Sequence, residues 1–227
     1  MSLINEQDAA AIREQLAASI ERPVQLALFV STQSCAYCTL TRELAEGLCA
    51  LHTDLTLAVY DLQADAELAA LLGVDKAPAL VVLGGAEGQD HGIRFYGIPS
   101  GYEFASLLEA IRMVGSDQIE LQPATRAFLA ELSAPLHLQV FVTPSCPYCP
   151  RAVALAHRLA YASPYITADA VEVTAFPELG ARYHVMGVPR TMIDELVAVE
   201  GAAPEGLLLA KLVDAQRMAT SIGSSIG

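Results

Sequence analysis

The sequence predicts an α/β protein built from two tandem copies of one module, each a mixed, roughly four-stranded central sheet flanked by helices. Three observations predict it: a Cys-x-x-Cys pair that recurs at a fixed interval, a proline at a fixed distance beyond each pair, and the same order of strand-like and helix-like segments around both. Cys35 and Cys146 lie 111 residues apart, and so do Cys38 and Cys149. Tyr37 and Tyr148, Val74 and Val185, Pro78 and Pro189, and the carboxylates Asp61 and Glu172 keep the same interval. Each proline stands 43 residues past the first cysteine of its pair. A period this long suits a duplicated domain rather than a solenoid repeat. A chain of 227 residues has room for two small modules. We expect them at 1–118 and 119–227, joined near Ser116–Gln122.

The elements follow in order. Each copy opens with an amphipathic helix, marked by Ile12, Leu16 and Ile20 in the first and by Ala124, Phe128 and Leu132 in the second. A strand rich in Val, Leu and Phe precedes each cysteine pair, at Val24–Val30 and Leu136–Val142. Helical stretches follow at Thr39–Leu51 and Arg151–Leu159, where Ala and Leu are frequent and Gly is sparse. Second strands are expected at Leu55–Asp61 and Ala168–Thr174, then helices at Ala64–Leu72 and Glu178–Tyr183. Past the prolines come hairpins, Ala79–Leu83 with Arg94–Tyr96 and Thr191–Ile193 with Val197–Val199. The second hairpin is shorter, because Gly84-Gly85-Ala86-Glu87-Gly88 has no counterpart in it. Closing helices are expected at Tyr102–Val114, with Leu107, Leu108 and Ile111 on one face, and at Glu205–Met218. The tail Ser221–Gly227 reads as frayed. The order β-α-β-α-β-β-α calls for a mixed sheet covered on both faces.

Composition narrows the function. The chain is 53% hydrophobic and 17% charged, enough to bury a core. A net charge of −13 argues against nucleic acid or an anionic membrane surface as partner. No apolar run is long enough to span a bilayer, and the start from Met1 to Asp8 lacks the basic and apolar regions of a secretory signal. The expected location is the cytoplasm. There, four of five cysteines clustered in two Cys-x-x-Cys pairs point to redox chemistry or metal binding rather than a structural disulfide framework.

Strand, short loop, Cys-x-x-Cys and helix place Cys35 and Cys146 at helix N-termini, where free N–H groups and the helix dipole favour thiolate. Cysteines in that setting have pKa values lowered from about 8.5 into roughly the 3.5–7.5 range. We therefore expect Cys35 or Cys146 to attack a disulfide and Cys38 or Cys149 to resolve the mixed disulfide. A proline after a small residue at a strand start is a candidate for a cis bond, and the repeated spacing of Ala77-Pro78 and Val188-Pro189 strengthens it. Backbone groups beside such prolines would be free to pair with an extended substrate. Asp61 and Glu172, at matching strand ends, are candidate proton acceptors.

These residues make the chain recognisable. It resembles the two-module, glutaredoxin-like protein disulfide oxidoreductases of archaea and thermophilic bacteria over most of its length. The likeness is sharpest at Phe141-Val142-Thr143-Pro144-Ser145-Cys146-Pro147-Tyr148-Cys149-Pro150, at Val185-Met186-Gly187-Val188-Pro189, and at Arg94-Phe95-Tyr96-Gly97-Ile98-Pro99-Ser100-Gly101-Tyr102-Glu103-Phe104. The resemblance implies tandem thioredoxin-like domains, dithiol–disulfide exchange on protein substrates and recharging by a thioredoxin-reductase-like flavoenzyme. It also implies that the Cys-Pro-Tyr-Cys site is the more active and that both prolines are cis. The second hairpin is shorter than the family's, and charged residues are fewer than in a hyperthermophile version.

Other readings are weighed beside this one. A dithiol relay to a peroxiredoxin and a glutathione-dependent glutaredoxin use the same cysteines. A zinc-holding or redox-sensing adaptor is the non-enzymatic alternative, but zinc ribbons place their pairs about 15–20 residues apart, far closer than here. No cofactor beyond the cysteines and no metal is expected, and monomer and homodimer both stay open. Cys49 reads as a small buried residue. None of His52, His91, His137, His157 and His184 adjoins a pair in sequence, which speaks against a Cys-His hydrolase. Arg42 and Arg151 add positive charge after the pairs, and Tyr37 and Tyr148 offer ring faces beside the sulfurs.

Overall fold

A computed structural model describes residues 3–33 and 35–226, with side chains through 221. Helix α1 (Glu6–Ser19) is capped by Asn5, whose side chain accepts from the Asp8 N–H. It leads into β1 (Val24–Val30), α2 (Cys38–Cys49), β2 (Leu55–Asp61) and α3 (Ala66–Leu71). The hairpin β3 (Ala79–Gly84) and β4 (Gln89–Tyr96) and the helix α4 (Glu103–Ser116) complete the first copy. The second copy runs α5 (Pro123–Glu131), β5 (Leu136–Val142), α6 (Cys149–Ala162), β6 (Ile166–Glu172), α7 (Pro177–Arg182), β7 (Arg190–Ile193), β8 (Val197–Glu200) and α8 (Glu205–Ile226). Both copies thus share the expected order of elements.

The sheets are not separate. All eight strands form one sheet in the order β2-β1-β3-β4-β6-β5-β7-β8. Within each copy the two long strands are parallel, and the hairpin adds antiparallel to the first of them. The copies join where β4 pairs in parallel with β6, Ile93 opposite Ala168 and Tyr96 opposite Val171. Backbone contact there is close. Gly92 has φ +72°, and a Cβ on it would lie 2.6 Å from the Ile166 carbonyl oxygen, so only glycine fits. β4 reads as a central strand, with Ile93, Arg94, Phe95 and Tyr96 all buried.

Side chains alternate between two faces. Leu26, Leu28, Phe95, Leu138 and Val140 meet Leu16, Leu48, Ile111, Val153 and Leu212 from the helices of one face. Phe29, Val81, Tyr96, Phe141 and Val171 meet Leu72 just past α3 and Phe176 and Tyr183 around α7 on the other.

Three expectations are corrected. In α5 the buried residues are Thr125 and Leu129, not Ala124 and Phe128, so the expected stripe is one position off; only its last member, Leu132, is buried. The second strand of copy two begins at Ile166 and ends at Glu172, short of Thr174, because Glu172 turns the chain with its own carboxylate. The last helix runs past Met218 to Ile226, where a frayed tail was expected. The side chains of Ile222 and Ile226 lie outside the described residues, as do Met1, Ser2, Ser34 and Gly227. Among the described residues no helix is long and apolar enough to cross a membrane.

Candidate functional site

In the second copy β5 ends at Val142, and Thr143–Tyr148 bridge to α6, whose first residue is Cys149. Cys146 and Cys149 are joined, their Cα atoms 5.5 Å apart. The Cys149 N–H, free at the helix start, donates to Cys146 Sγ at 3.2 Å. Cys146 is 7% exposed and Cys149 is fully buried, so approach from solvent reaches Cys146 first. The Val188–Pro189 bond is cis, and the Val188 carbonyl oxygen lies 3.7 Å from Cys146 Sγ. The repeated proline therefore sits against the pair although 43 residues separate them in sequence.

The first copy repeats the arrangement. Cys35 and Cys38 are joined with Cα atoms 5.4 Å apart, and Cys38 opens α2. Cys38 is buried while Cys35 is partly exposed. The Ser31 N–H donates to Cys38 Sγ at 3.4 Å, and Ala77–Pro78 is also cis. The correspondence extends to the backbone: Gly97 N–H bonds the Pro78 carbonyl at 3.0 Å and Gly201 N–H bonds that of Pro189 at 2.8 Å.

Asp61 and Glu172 both carry the turns after their strands. Asp61 Oδ1 accepts from the Gln63 and Ala64 N–H groups, and the hydrogen bonds from Ala64 and Gln63 hold its carboxyl below the ordinary value. Buried Glu172 accepts from the Thr174 N–H, the Thr174 hydroxyl and the Ala175 N–H.

A third carboxyl, not among the sequence candidates, joins them. Glu103, in the first turn of α4, is 2% exposed, with Ser106 of the same helix turn acting on its carboxyl. It borders a cavity of about 10 Å³ with Val142, Pro99 and Glu172, room for one water at most. Burial pushes its carboxyl up to about 7, outweighing the opposing pull of Ser106. Its neighbour Tyr102 donates its N–H to the Pro144 carbonyl at 2.9 Å, two residues before Cys146. The helix that carries this carboxyl in the first copy is thus moored to the active loop of the second. A signal was present: Glu103 stands four residues before Leu107 and eight before Ile111, on the stripe that is buried.

Gly101 makes the mooring possible. It has φ +59°, and a Cβ there would stand 2.3 Å from the Pro144 carbonyl oxygen. We expect Gly101→Ala to cost about 2 kcal/mol in urea denaturation, from left-handed strain and backbone overlap, and to slow the second site more than the first.

The remaining candidates fall elsewhere. Cys49, expected to be buried, is only partly so; burial still pushes its thiol up to about 12, so it stays a thiol at neutral pH. His157 packs edge-on against Phe95 at 4.9 Å, between α6 and the seam strand β4. His137 pairs with buried Asp169 at 2.6 Å. Among the described residues no group of three or more His, Cys, Asp or Glu side chains is arranged to hold a metal ion. Arg42 pairs with Glu46 one turn along its helix, and Arg151 is exposed.

Known proteins bear on this arrangement. The thioredoxin domain family model matches residues 136–214. The crystal structure of a protein disulfide oxidoreductase from Aeropyrum pernix K1 superimposes with a TM-score of 0.85 and 31% identity, covering 92% of each chain. The alkylhydroperoxide reductase AhpF of Enterococcus faecalis gives 0.84 and 27%, covering 92% of this chain and 98% of that one. An alkyl hydroperoxide reductase chain of Staphylococcus epidermidis is 31% identical over 107 residues, which are 47% of this chain and 21% of that protein. The chain therefore spans about a fifth of the length of the curated relatives it matches.

Proposed function

Because this chain belongs to the tandem thioredoxin-fold protein disulfide oxidoreductases, we propose that it exchanges dithiols and disulfides with protein substrates at two sites, Cys35/Cys38 and Cys146/Cys149. In the reducing direction the Cys146 thiolate attacks one sulfur of a substrate disulfide. That S–S bond breaks, a mixed disulfide forms, and the departing substrate thiolate takes a proton. Cys149 gives up its proton and attacks Cys146 Sγ, so the mixed disulfide breaks and the internal one closes. The second substrate thiol leaves. Two electrons have passed to the substrate, and an external dithiol restores the pair. Oxidation of a dithiol substrate is the same sequence reversed.

The observation that carries this reading is the meeting of two cysteines of unequal burial with the carbonyl of a cis-proline loop. Cys146 keeps 7% of its surface exposed while Cys149 is fully buried, and the Val188 carbonyl 3.7 Å from Cys146 Sγ would receive a substrate N–H. Ala77 and Pro78 take the corresponding part at the first site. Glu103, next to the Tyr102 whose N–H bonds the Pro144 carbonyl, carries a carboxyl that burial pushes up to about 7. Asp61 and Glu172 hold the loops in place from their strand ends. The modules divide at 118/119, and the cytoplasm is the compartment in which such pairs are kept cycling. A thioredoxin-reductase-like flavoenzyme supplies the electrons.

The test is reduction of insulin disulfides by dithiothreitol with and without the protein. Catalysis with a mixed disulfide trapped on Cys146 in a Cys149→Ser variant supports the reading. Turnover that persists when both pairs are replaced by serine would falsify it. The alkyl hydroperoxide reductase relatives favour a second reading, delivery of electrons to a peroxide-reducing thiol protein. Peroxide consumption that needs both this chain and a peroxiredoxin distinguishes it.

A further inference from the structure

The two sites differ most in the loop that carries the repeated proline. The first reads Val74-Asp75-Lys76-Ala77-Pro78 and the second Val185-Met186-Gly187-Val188-Pro189. In the first loop the Lys76 ammonium lies 3.8 Å above the Tyr96 ring and is also paired with Asp75. The Lys76 side chain is only 19% exposed, and Tyr96 ends the seam strand β4. That loop is fastened to the fold by its own charges. In the second loop Gly187 offers no side chain for such a tie, and nothing lies within 4 Å of where its Cβ would be. Met186 beside it is 95% exposed. Val188 O lies 3.7 Å from Cys146 Sγ, which puts this loop beside the reacting sulfur. Tyr148, between the two cysteines, is 64% exposed.

Two large apolar side chains thus stand in solvent, one between the two cysteines and one two residues before Val188, and add little to folding. Methionine is flexible and polarisable and adapts to varied apolar partners, while tyrosine presents a stiff ring. Resting on the exchange reading above, we propose that Met186 and Tyr148 make the second site selective for disulfides flanked by apolar side chains, a preference the first site does not share. Unfolded or partly folded protein chains present such segments. Among the described residues beside the first pair, Tyr37 is half-buried and Leu40, on the helix after Cys38, is exposed, and the loop at that site offers Asp75 and Lys76 instead.

The experiment uses the full chain in two forms, Cys35→Ser/Cys38→Ser and Cys146→Ser/Cys149→Ser, each retaining one site. Both are assayed with dithiothreitol on two fluorogenic peptide disulfides, one flanked by Leu and Val and one by Ser and Asn. The form keeping the second site favours the apolar peptide about tenfold in kcat/KM, and the other form shows no more than a twofold preference. Met186→Ser in the first form raises KM for the apolar peptide about fivefold, as expected for losing a large part of one side chain's burial, while kcat changes less than twofold. Tyr148→Ser adds a further rise. Equal preference by the two forms, or a preference untouched by both substitutions, overturns the proposal while leaving exchange intact. Failure of both forms to reduce either peptide overturns exchange itself, and the partition with it.

Discussion

With the first pair removed, Cys146→Ser is expected to lower kcat/KM for insulin reduction by about 1000-fold, which is about 4 kcal/mol of transition-state stabilisation. A serine hydroxyl stays protonated at neutral pH and forms no bond to sulfur that a thiol can later displace. Cys149 does not take over as attacking group, because it is fully buried behind Cys146 at the start of α6. Cys149→Ser behaves differently: the first attack proceeds, resolution stops, and the substrate stays attached. Non-reducing electrophoresis and mass spectrometry separate the two outcomes, an adduct for Cys149→Ser and none for Cys146→Ser. An adduct on Cys149 in the Cys146→Ser protein would reverse the assigned roles. In the chain with both pairs, Cys146→Ser leaves the activity of the first site, so the residual rate measures what Cys35 and Cys38 contribute.

Much of this was legible in the sequence because covalent spacing carried it. The interval between the pairs and the interval to the prolines are properties of one duplicated module, and they set both the order of elements and the meeting of Pro189 with Cys146. The single eight-stranded sheet was not legible. Nothing local in Gln89–Tyr96 says that its outer edge is covered by Ile166–Glu172 rather than by solvent. Only the run of four buried residues from Ile93 to Tyr96 and the close approach at Gly92 reveal it, and both are properties of the assembled fold. Glu103 was missed for a related reason. A glutamate in the first turn of a helix ordinarily sits in solvent and complements the helix dipole. Its place on the apolar stripe matters here because Val142 and Glu172, from the other module, close over it. The cysteine pairs and the prolines were readable residue by residue, whereas the electrostatics around Glu103 belongs to the junction.

That junction leads to the second large effect. Burial pushes the Glu103 carboxyl up to about 7 from an ordinary 4.5, and burial pushes the His157 imidazole down to about 4 from 6.5 against the opposing pull of Asp169. Each shift corresponds to about 3 kcal/mol between folded and unfolded protein. The signs are opposite. Between pH 4.5 and 7 the folded chain holds a proton on Glu103 that the unfolded chain has released, so stability falls as pH rises through that window. Between pH 6.5 and 4 the unfolded chain binds a proton on His157 that the folded chain refuses, so stability falls as pH drops. Over pH 4.5–6.5 the two slopes cancel. Glu103→Gln keeps shape without charge and is expected to gain about 3 kcal/mol above pH 7 and to expose the acid slope of His157. His157→Phe exposes the reverse, a protein that grows more stable relative to wild type toward pH 4. Urea midpoints of the oxidised proteins at pH 4.5, 5.5, 6.5 and 7.5 measure these differences, since the other carboxylates titrate alike in all three chains. Parallel pH profiles for the three would mean that water reaches these groups.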